Sequence, residues 1–224
     1  MDGRYSRNIP ALTPQEMALL RGKKAAVIGC GGLGGYLIEY LCRLGIGSVV
    51  AVDGDVFDES NLNRQLLSQP SLLGQSKAET AASRARAVNP GVEVVPVRAF
   101  LDESNARVIL SGCDVVLDGM DNIPTRLLVE RVCGELGIPY VFGAIEGWVA
   151  QAGVSMPGDG LARRLYPEGT TPSGKSVLSF TPALCAAVQT ALCVKLLTGG
   201  EVESGKLYYF DLLHQEFETI PLMG

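Results

Sequence analysis

The sequence predicts an α/β fold: a mainly parallel sheet flanked by helices, with antiparallel C-terminal strands. Three observations predict it. Short β-rich runs alternate with helical stretches from Lys24 onward. Gly29-Cys30-Gly31-Gly32-Leu33-Gly34 fits G-x-G-x-x-G between a strand and a helix, the signature of a Rossmann-like turn. Lys206–Leu213 and Gln215–Leu222 read as a hairpin, and an antiparallel edge on a parallel sheet is common.

The elements follow in order. Thr13-Pro14-Gln15-Glu16 has the N-cap, first-position Pro and third-position Glu of a capping box, so a short helix runs through Leu20. Lys24–Ile28 is a buried strand, Gly31–Leu44 a helix and Ser48–Asp53 the second strand. Ser76–Val88 is a helix ended by Asn89-Pro90-Gly91, Val92–Ala99 a strand and Ser104–Leu110 a short helix. Asp114–Asp118 is a strand, Pro124–Leu136 a helix closed by Gly137, and Tyr140–Ala144 a strand. Ala150–Met156 reads as a further strand. Pro157–Ser176 is rich in Gly, Pro, Ser and Thr and reads as a loop of about 20 residues, a length that is usually functional or mobile. Thr181–Leu197 is an apolar helix with Thr181 as N-cap and Pro182 just inside, stopped by Gly199-Gly200.

Composition narrows the function. At 224 residues and 47% apolar, the chain fits a single domain with a full core. A net charge of −5 argues against non-specific binding to nucleic acid or anionic membrane. Apolar runs such as Val49–Val52 and Ala183–Val188 are too short to span a bilayer. The first seven residues hold no apolar segment, so no signal peptide is read. Six cysteines without a CxxC pair read as reduced thiols, and the expected compartment is the cytoplasm. One histidine, His214, excludes a multi-histidine metal site.

The glycine turn allows phosphate to approach backbone N–H groups at the positive end of a helix. Asp53, 24 residues after Gly29, stands where a carboxylate bonds a ribose hydroxyl. The motif by itself favours a nicotinamide or flavin dehydrogenase. Its surroundings do not. Asp53-Gly54-Asp55 and Ser60-Asn61-Leu62-Asn63-Arg64-Gln65 add acids, amides and an arginine, and Lys77 opens the next helix. Arg64 and Lys77 suit a triphosphate better than one pyrophosphate beside a nicotinamide. Asp121-Asn122 follows a strand at the carboxyl end of the sheet, where ligands of such folds bind, and one carboxylate plus phosphate oxygens is a common Mg²⁺ arrangement. Each member has a structural alternative: a surface charge for Arg64 and Lys77, a loop acid for Asp55, a helix cap for Asp121 and a turn residue for Asn122.

These segments, with Gly74-Gln75-Ser76-Lys77, Asn89-Pro90 and Asp118-Gly119-Met120-Asp121-Asn122, occur in the order and spacing of the ThiF/MoeB/HesA adenylating enzymes, the bacterial relatives of ubiquitin-activating enzymes. Arg4-Tyr5-Ser6-Arg7 resembles the opening motif of that family and Lys206–Asp211 its last strands. The resemblance covers nearly the whole chain. It implies one ATP-binding adenylation domain over 1–224, with an N-terminal helical arm (1–22), a nucleotide-binding core (23–145) and a carrier-binding crossover loop with C-terminal helix and hairpin (146–224). It implies adenylation of the C-terminal glycine of a small ubiquitin-like sulfur carrier ending in Gly-Gly, with release of pyrophosphate, for thiamine or molybdopterin-type cofactors. A separate desulfurase or rhodanese-like protein would donate sulfur. The residues implied are Gly29, Gly31, Gly32 and Gly34 at the phosphates and Asp53 at the ribose. Asp55, Ser60, Asn61, Arg64, Lys77 and Asn122 would complete the ATP site, and Asp121 would hold Mg²⁺. Arg7 would reach in from the second subunit of a homodimer. Arg64, Lys77, Asp121 and Arg7 form the implied catalytic set. The nucleophile is already a carboxylate, so positioning and charge suffice without a histidine base.

The sequence departs from the family twice. Many members hold zinc with two CxxC pairs, expected here near Leu161–Leu165 and just after Leu222. Neither place has a cysteine, so no zinc is expected. Some members also form a covalent carrier intermediate on a loop cysteine, whose position falls near Pro172. Cys30, Cys185 and Cys193 read better as packed residues, so the reaction is expected to stop at the adenylate. Arg163, Arg164 and Lys175 either cover the carrier tail or sit in a surface loop. Trp148 either lines the tail channel or packs beneath it. The same fold could instead adenylate a small molecule or a tRNA base, or serve as a catalytically silent nucleotide-binding subunit.

Overall fold

The computed structural model describes residues 3–171 and 176–222. Eight strands form one sheet: β1 (Lys24–Ile28), β2 (Ser48–Val52), β3 (Glu93–Val97), β4 (Val115–Asp118), β5 (Tyr140–Glu146), β6 (Val149–Ser155), β7 (Lys206–Asp211) and β8 (Glu216–Pro221). Their order is β3-β2-β1-β4-β5-β6-β7-β8. The first five pair in parallel, and β5 through β8 pair antiparallel. The helices are α1 (Pro14–Arg21), α2 (Gly32–Leu44), α3 (Lys77–Val88), α4 (Ala106–Leu110), α5 (Ile123–Leu136), α6 (Leu161–Leu165) and α7 (Phe180–Thr198).

The period-2 rule of strands divides the core in two. In β1, Ala25 and Val27 face α2 and α7, whereas Ala26 and Ile28 face α4 and α5. Both faces are buried, which explains the unbroken apolar runs of the central strands. The arm is anchored as its motif requires. Thr13 and Glu16 close the capping box, and Tyr5 packs on Gly45 while its hydroxyl accepts from Asn89 Nδ2 at 2.7 Å. Asn89 also donates to the Cys42 carbonyl at 2.6 Å, so the Asn89-Pro90 motif fastens the arm to the amino end of the sheet, away from the glycine turn.

Three expectations are corrected. The segment 157–176 contains α6, whose Leu161 and Ala162 are fully buried. Its apolar run is too short to show a helical period. The last helix begins at Phe180 rather than after Thr181, and Ser179 makes no side-chain cap. The Thr181 hydroxyl instead donates to the Gly147 carbonyl at 2.7 Å, a tertiary bond invisible to local reading. The helix expected from Ser104 starts at Ala106, because the Asp102 carboxylate takes the N–H groups of Ser104 and Asn105 in an Asx turn. By length and apolar composition α7 resembles a membrane span, but it packs against α2, β5 and β6, and its Gln189 is fully buried. Pro172 and Lys175 lie outside the described residues.

Candidate active site

The glycine turn joins β1 to α2. Gly29 adopts φ +92°, and a side chain there would strike the Gly119 carbonyl oxygen at 2.5 Å. Gly34 lies tighter still, its missing Cβ 1.7 Å from the Gly29 carbonyl oxygen. These glycines let the turn fold onto its own helix and onto the loop after β4. Gly31 caps α2 without a side chain, so the first N–H groups of the helix have no capping group. Gly31 and Gly32 line a cavity of about 760 Å³ that runs across the carboxyl ends of the strands.

Asp53 closes the turn from β2. Its Oδ2 accepts from Cys30 N at 2.7 Å and its Oδ1 from Asp55 N at 2.8 Å. Burial pushes the Asp53 carboxyl above its ordinary value, and these two N–H groups and Lys77 pull it back. Lys77, the first residue of α3, is buried, and its Nζ stands 3.4 Å from the exposed Asp55 carboxylate. A buried ammonium with one long contact suits an incoming anion. Arg64 is held over the turn by bonds to Ser60 O (2.8 Å) and Asn63 Oδ1 (2.9 Å). Asp121 lines the cavity opposite. Asn122 both lines it and caps α5, its Oδ1 accepting from Thr125 N at 2.9 Å. Past Asp53 the wall is apolar, formed by Ala99, Phe100, Leu101, Met120 and Ile123. The Phe100 ring lies flat on Gly54 and is 67% exposed.

A buried ion pair supports the Asp121 loop. Arg126 Nε donates to Asp118 Oδ2 at 2.6 Å, and Tyr140 donates to the same oxygen at 2.5 Å. Asp118 Oδ1 accepts from Met120 N, while Arg126 donates to the Met120 and Gly143 carbonyls, each at 3.0 Å. Burial opposes the Arg126 charge, but Asp118 with Tyr140 and Tyr166 outweighs it and holds the guanidinium pKa above its ordinary value.

The cavity continues past Arg126 between β5–β6 and a flap built on α6. Ala144, Ile145, Glu146, Gln151 and Tyr209 line the sheet side, and Leu165, Tyr166, Thr170 and Thr171 the flap side. Glu130 of α5 anchors the flap by accepting from the Ala162 and Arg163 N–H groups at 2.8 and 3.0 Å. Arg163 and Arg164 are exposed on the flap. Trp148 packs on Phe180 with ring centroids 5.0 Å apart and planes tilted by 54°, and does not line the cavity. All six cysteines are buried. Burial pushes Cys42, Cys133, Cys185 and Cys193 up to about 12, and raises Cys30 and Cys113 as well.

Of the expected residues, Gly29, Gly31, Gly32, Asp53, Asp55, Arg64, Lys77, Asp121 and Asn122 meet on one cavity. Four do not line it. Gly34 serves the backbone contact described above. Ser60 is exposed, and Asn61 accepts from Asp58 N at 3.1 Å in a capping box that shapes the loop before Arg64. Arg7 sits in the N-terminal turn beside Tyr5, at the amino end of the sheet. Sequence reading missed Phe100, Arg126, Glu130 and Tyr166. For Arg126 and Glu130 a signal existed: both fall within one apolar face of α5 with Val129 and Cys133, where an unpaired charge is costly.

The ThiF family profile matches residues 5–224. The SAMP-activating enzyme E1 of Haloferax volcanii is 40% identical over 227 residues, covering 97% of this chain and 84% of the relative. The sulfur carrier protein adenylyltransferase of Thermus thermophilus is 36% identical, covering 97% and 86%. The probable adenylyltransferase/sulfurtransferase MoeZ of Mycobacterium tuberculosis is 39% identical, and this chain spans 59% of its length. Among solved structures, E. coli MccB with MccA-N7isoASN superposes with a TM-score of 0.85 at 19% identity, covering 99% of this chain and 72% of that one. E. coli MccB with ATP gives 0.81 at 20%, covering 99% and 71%. The glycine turn, the cations and the acids on one cavity agree with this kinship, and the chain belongs to the ThiF family.

Proposed function

We propose that this chain adenylates the C-terminal glycine carboxylate of a small ubiquitin-like sulfur carrier ending in Gly-Gly. The observation that carries this is one continuous cavity with two halves. One half holds a phosphate turn, a ribose carboxylate and two cations. The other runs between β5–β6 and the flap and takes an extended tail. ATP lies with its ribose on Asp53 and its phosphates on Gly31, Gly32, Arg64 and Lys77. The carrier carboxylate enters beside Arg126 and attacks the α-phosphorus. The P–O bond to the β-phosphate breaks, and pyrophosphate leaves with its charge held by Arg64 and Lys77. Asp121 is an exposed carboxylate lining the same cavity as these cations, and one carboxylate with phosphate oxygens fits Mg²⁺. Bound there, Mg²⁺ supplies charge neutralisation on the phosphates.

The buried thiols support a product that stays an acyl-adenylate, with sulfur delivered by a separate desulfurase or rhodanese-like protein. Arg7 lies in the N-terminal turn and does not line the cavity of its own chain, which supports a homodimer in which it serves the partner. The test is ATP–pyrophosphate exchange with Mg²⁺ and a panel of Gly-Gly-terminated carriers, with Asp121→Ala as control. Exchange that needs a carrier and Asp121 supports the reading, and the best carrier separates thiamine from molybdopterin routes. ATP binding without exchange would refute carrier adenylation and favour a small-molecule or RNA substrate, or a silent subunit.

A further inference from the structure

The buried arginine between the two halves of the cavity touches both. Arg126 donates to Asp118 and Met120, which fix the loop carrying Asp121, and its Nη1 donates to the Tyr166 hydroxyl at 3.0 Å. Its guanidinium also lies 5.3 Å from the Tyr166 ring centre and 5.1 Å from that of Phe142. Tyr166 ends α6 and forms part of the flap wall. At the start of α6 the flap is tied by Glu130, which accepts from Ala162 and Arg163 N–H, and by the Ser155 hydroxyl, which accepts from Leu161 N–H; beyond the flap, Gly147 N–H and Asn63 donate to the Ser176 and Val177 carbonyls. The stretch 167–171 follows Tyr166 directly, so the bond from Arg126 to the Tyr166 hydroxyl fixes where it leaves α6.

We infer that Tyr166 is a positioning residue: its bond to Arg126 latches the flap to the Asp121 loop, so that occupancy of the nucleotide half tightens the wall of the tail half. The inference rests on the two-half reading above and names how the halves communicate. A ligand shifts such a latch only if it binds the two states unequally. ATP does so here because it loads the Asp121 loop that Arg126 holds. Removing the hydroxyl while keeping the ring preserves the packing and the cation–ring contact and deletes the link alone.

The test is limited trypsin digestion of the full chain, reading cleavage after Arg163 and Arg164 by mass spectrometry, with and without Mg-ATP. ATP affinity is measured separately by calorimetry. In wild type, ATP slows cleavage of the flap. In Tyr166→Phe, cleavage without ATP rises about 10-fold, the size expected for one hydrogen bond to a charged group, and protection by ATP is lost. In carrier-dependent exchange the same variant raises the carrier KM more than it lowers kcat. Wild-type cleavage in Tyr166→Phe overturns the latch. A loosened flap that ATP still protects leaves Tyr166 with a structural role only and overturns the coupling. A wild-type flap indifferent to bound ATP overturns it too. Failure of wild type to bind ATP would show in the calorimetry and remove the nucleotide reading itself.

Discussion

Replacing Gly34 with alanine separates the two jobs of the glycine turn. The Cβ would sit 1.7 Å from the Gly29 carbonyl oxygen and 2.7 Å from its carbon. Ordinary contact requires that first separation to double, and the neighbour is backbone rather than a flexible side chain. Overpacking a tight core costs about 1–3 kcal/mol, and the rigid neighbour places this case near the top of that range. For a domain of this size the melting temperature should fall by about 6–12 °C, and the distorted turn should bind ATP at least 10-fold more weakly. Gly32 is the contrast. Its Cβ would meet only the flexible Arg64 side chain, with Cγ at 3.7 Å and Cδ and Nε at 3.9 Å, so the fold accepts alanine there. Alanine is also the better helix former by up to about 1 kcal/mol. Gly32→Ala should keep or raise the melting temperature and still lose ATP affinity by about 10-fold, because the methyl stands where phosphate approaches. Differential scanning calorimetry and isothermal titration with Mg-ATP read both quantities. A Gly34→Ala protein that melts like wild type would refute the backbone argument, and a Gly32→Ala protein that binds ATP normally would refute the phosphate argument.

Other outcomes follow from the same geometry. At pH 8, thiols raised to about 12 are ionised in about one molecule per ten thousand. The native protein should therefore leave Ellman's reagent almost unreacted over minutes and release six equivalents when unfolded, and one fast thiol would undo the claim that no cysteine is available to the carrier. Asp53 carries a raised pKa, so as pH falls the native carboxyl takes its proton before the unfolded one does. This group then favours the fold toward acid and opposes it as pH rises through its native value. The charged ribose acceptor is lost over the same range, so the ATP affinity of wild type should converge on that of Asp53→Asn as pH falls from neutrality, and parallel profiles would refute the assignment. Phe100→Ala should weaken ATP about 10-fold through lost base stacking and leave inorganic tripolyphosphate unaffected; equal losses for both would place the ring elsewhere in the function.

Much of this was legible in the residues, for identifiable reasons. The parallel core announced itself because strands buried on both faces read as unbroken apolar runs. The glycine turn was legible because its three needs, a tight turn, an open helix end and close packing, each demand glycine. What escaped was tertiary. The role of Arg126 depends on Asp118, Gly143 and Tyr166, which only the folded sheet brings together. The flap helix is fixed by Leu161 and Ala162 burying against the core and by Glu130 from a different helix. Phe100 signals nothing until Gly54 is seen to offer its ring a bare backbone to lie on.

The strand β5 belongs to two ladders at once. Tyr140 and Val141 pair in parallel with β4, and the whole strand from Tyr140 to Glu146 pairs antiparallel with β6. The two halves of the cavity are thus cut from one piece of hydrogen-bonded cloth with no seam between them. Trimming the chain near residue 145 would strip β5 of a full-length neighbour and expose the buried Phe142 and Tyr140 beside it. Neither half can then be inherited, expressed or lost separately: a minimal nucleotide-binding fragment of this protein should aggregate rather than fold, and melting should abolish both halves in one transition.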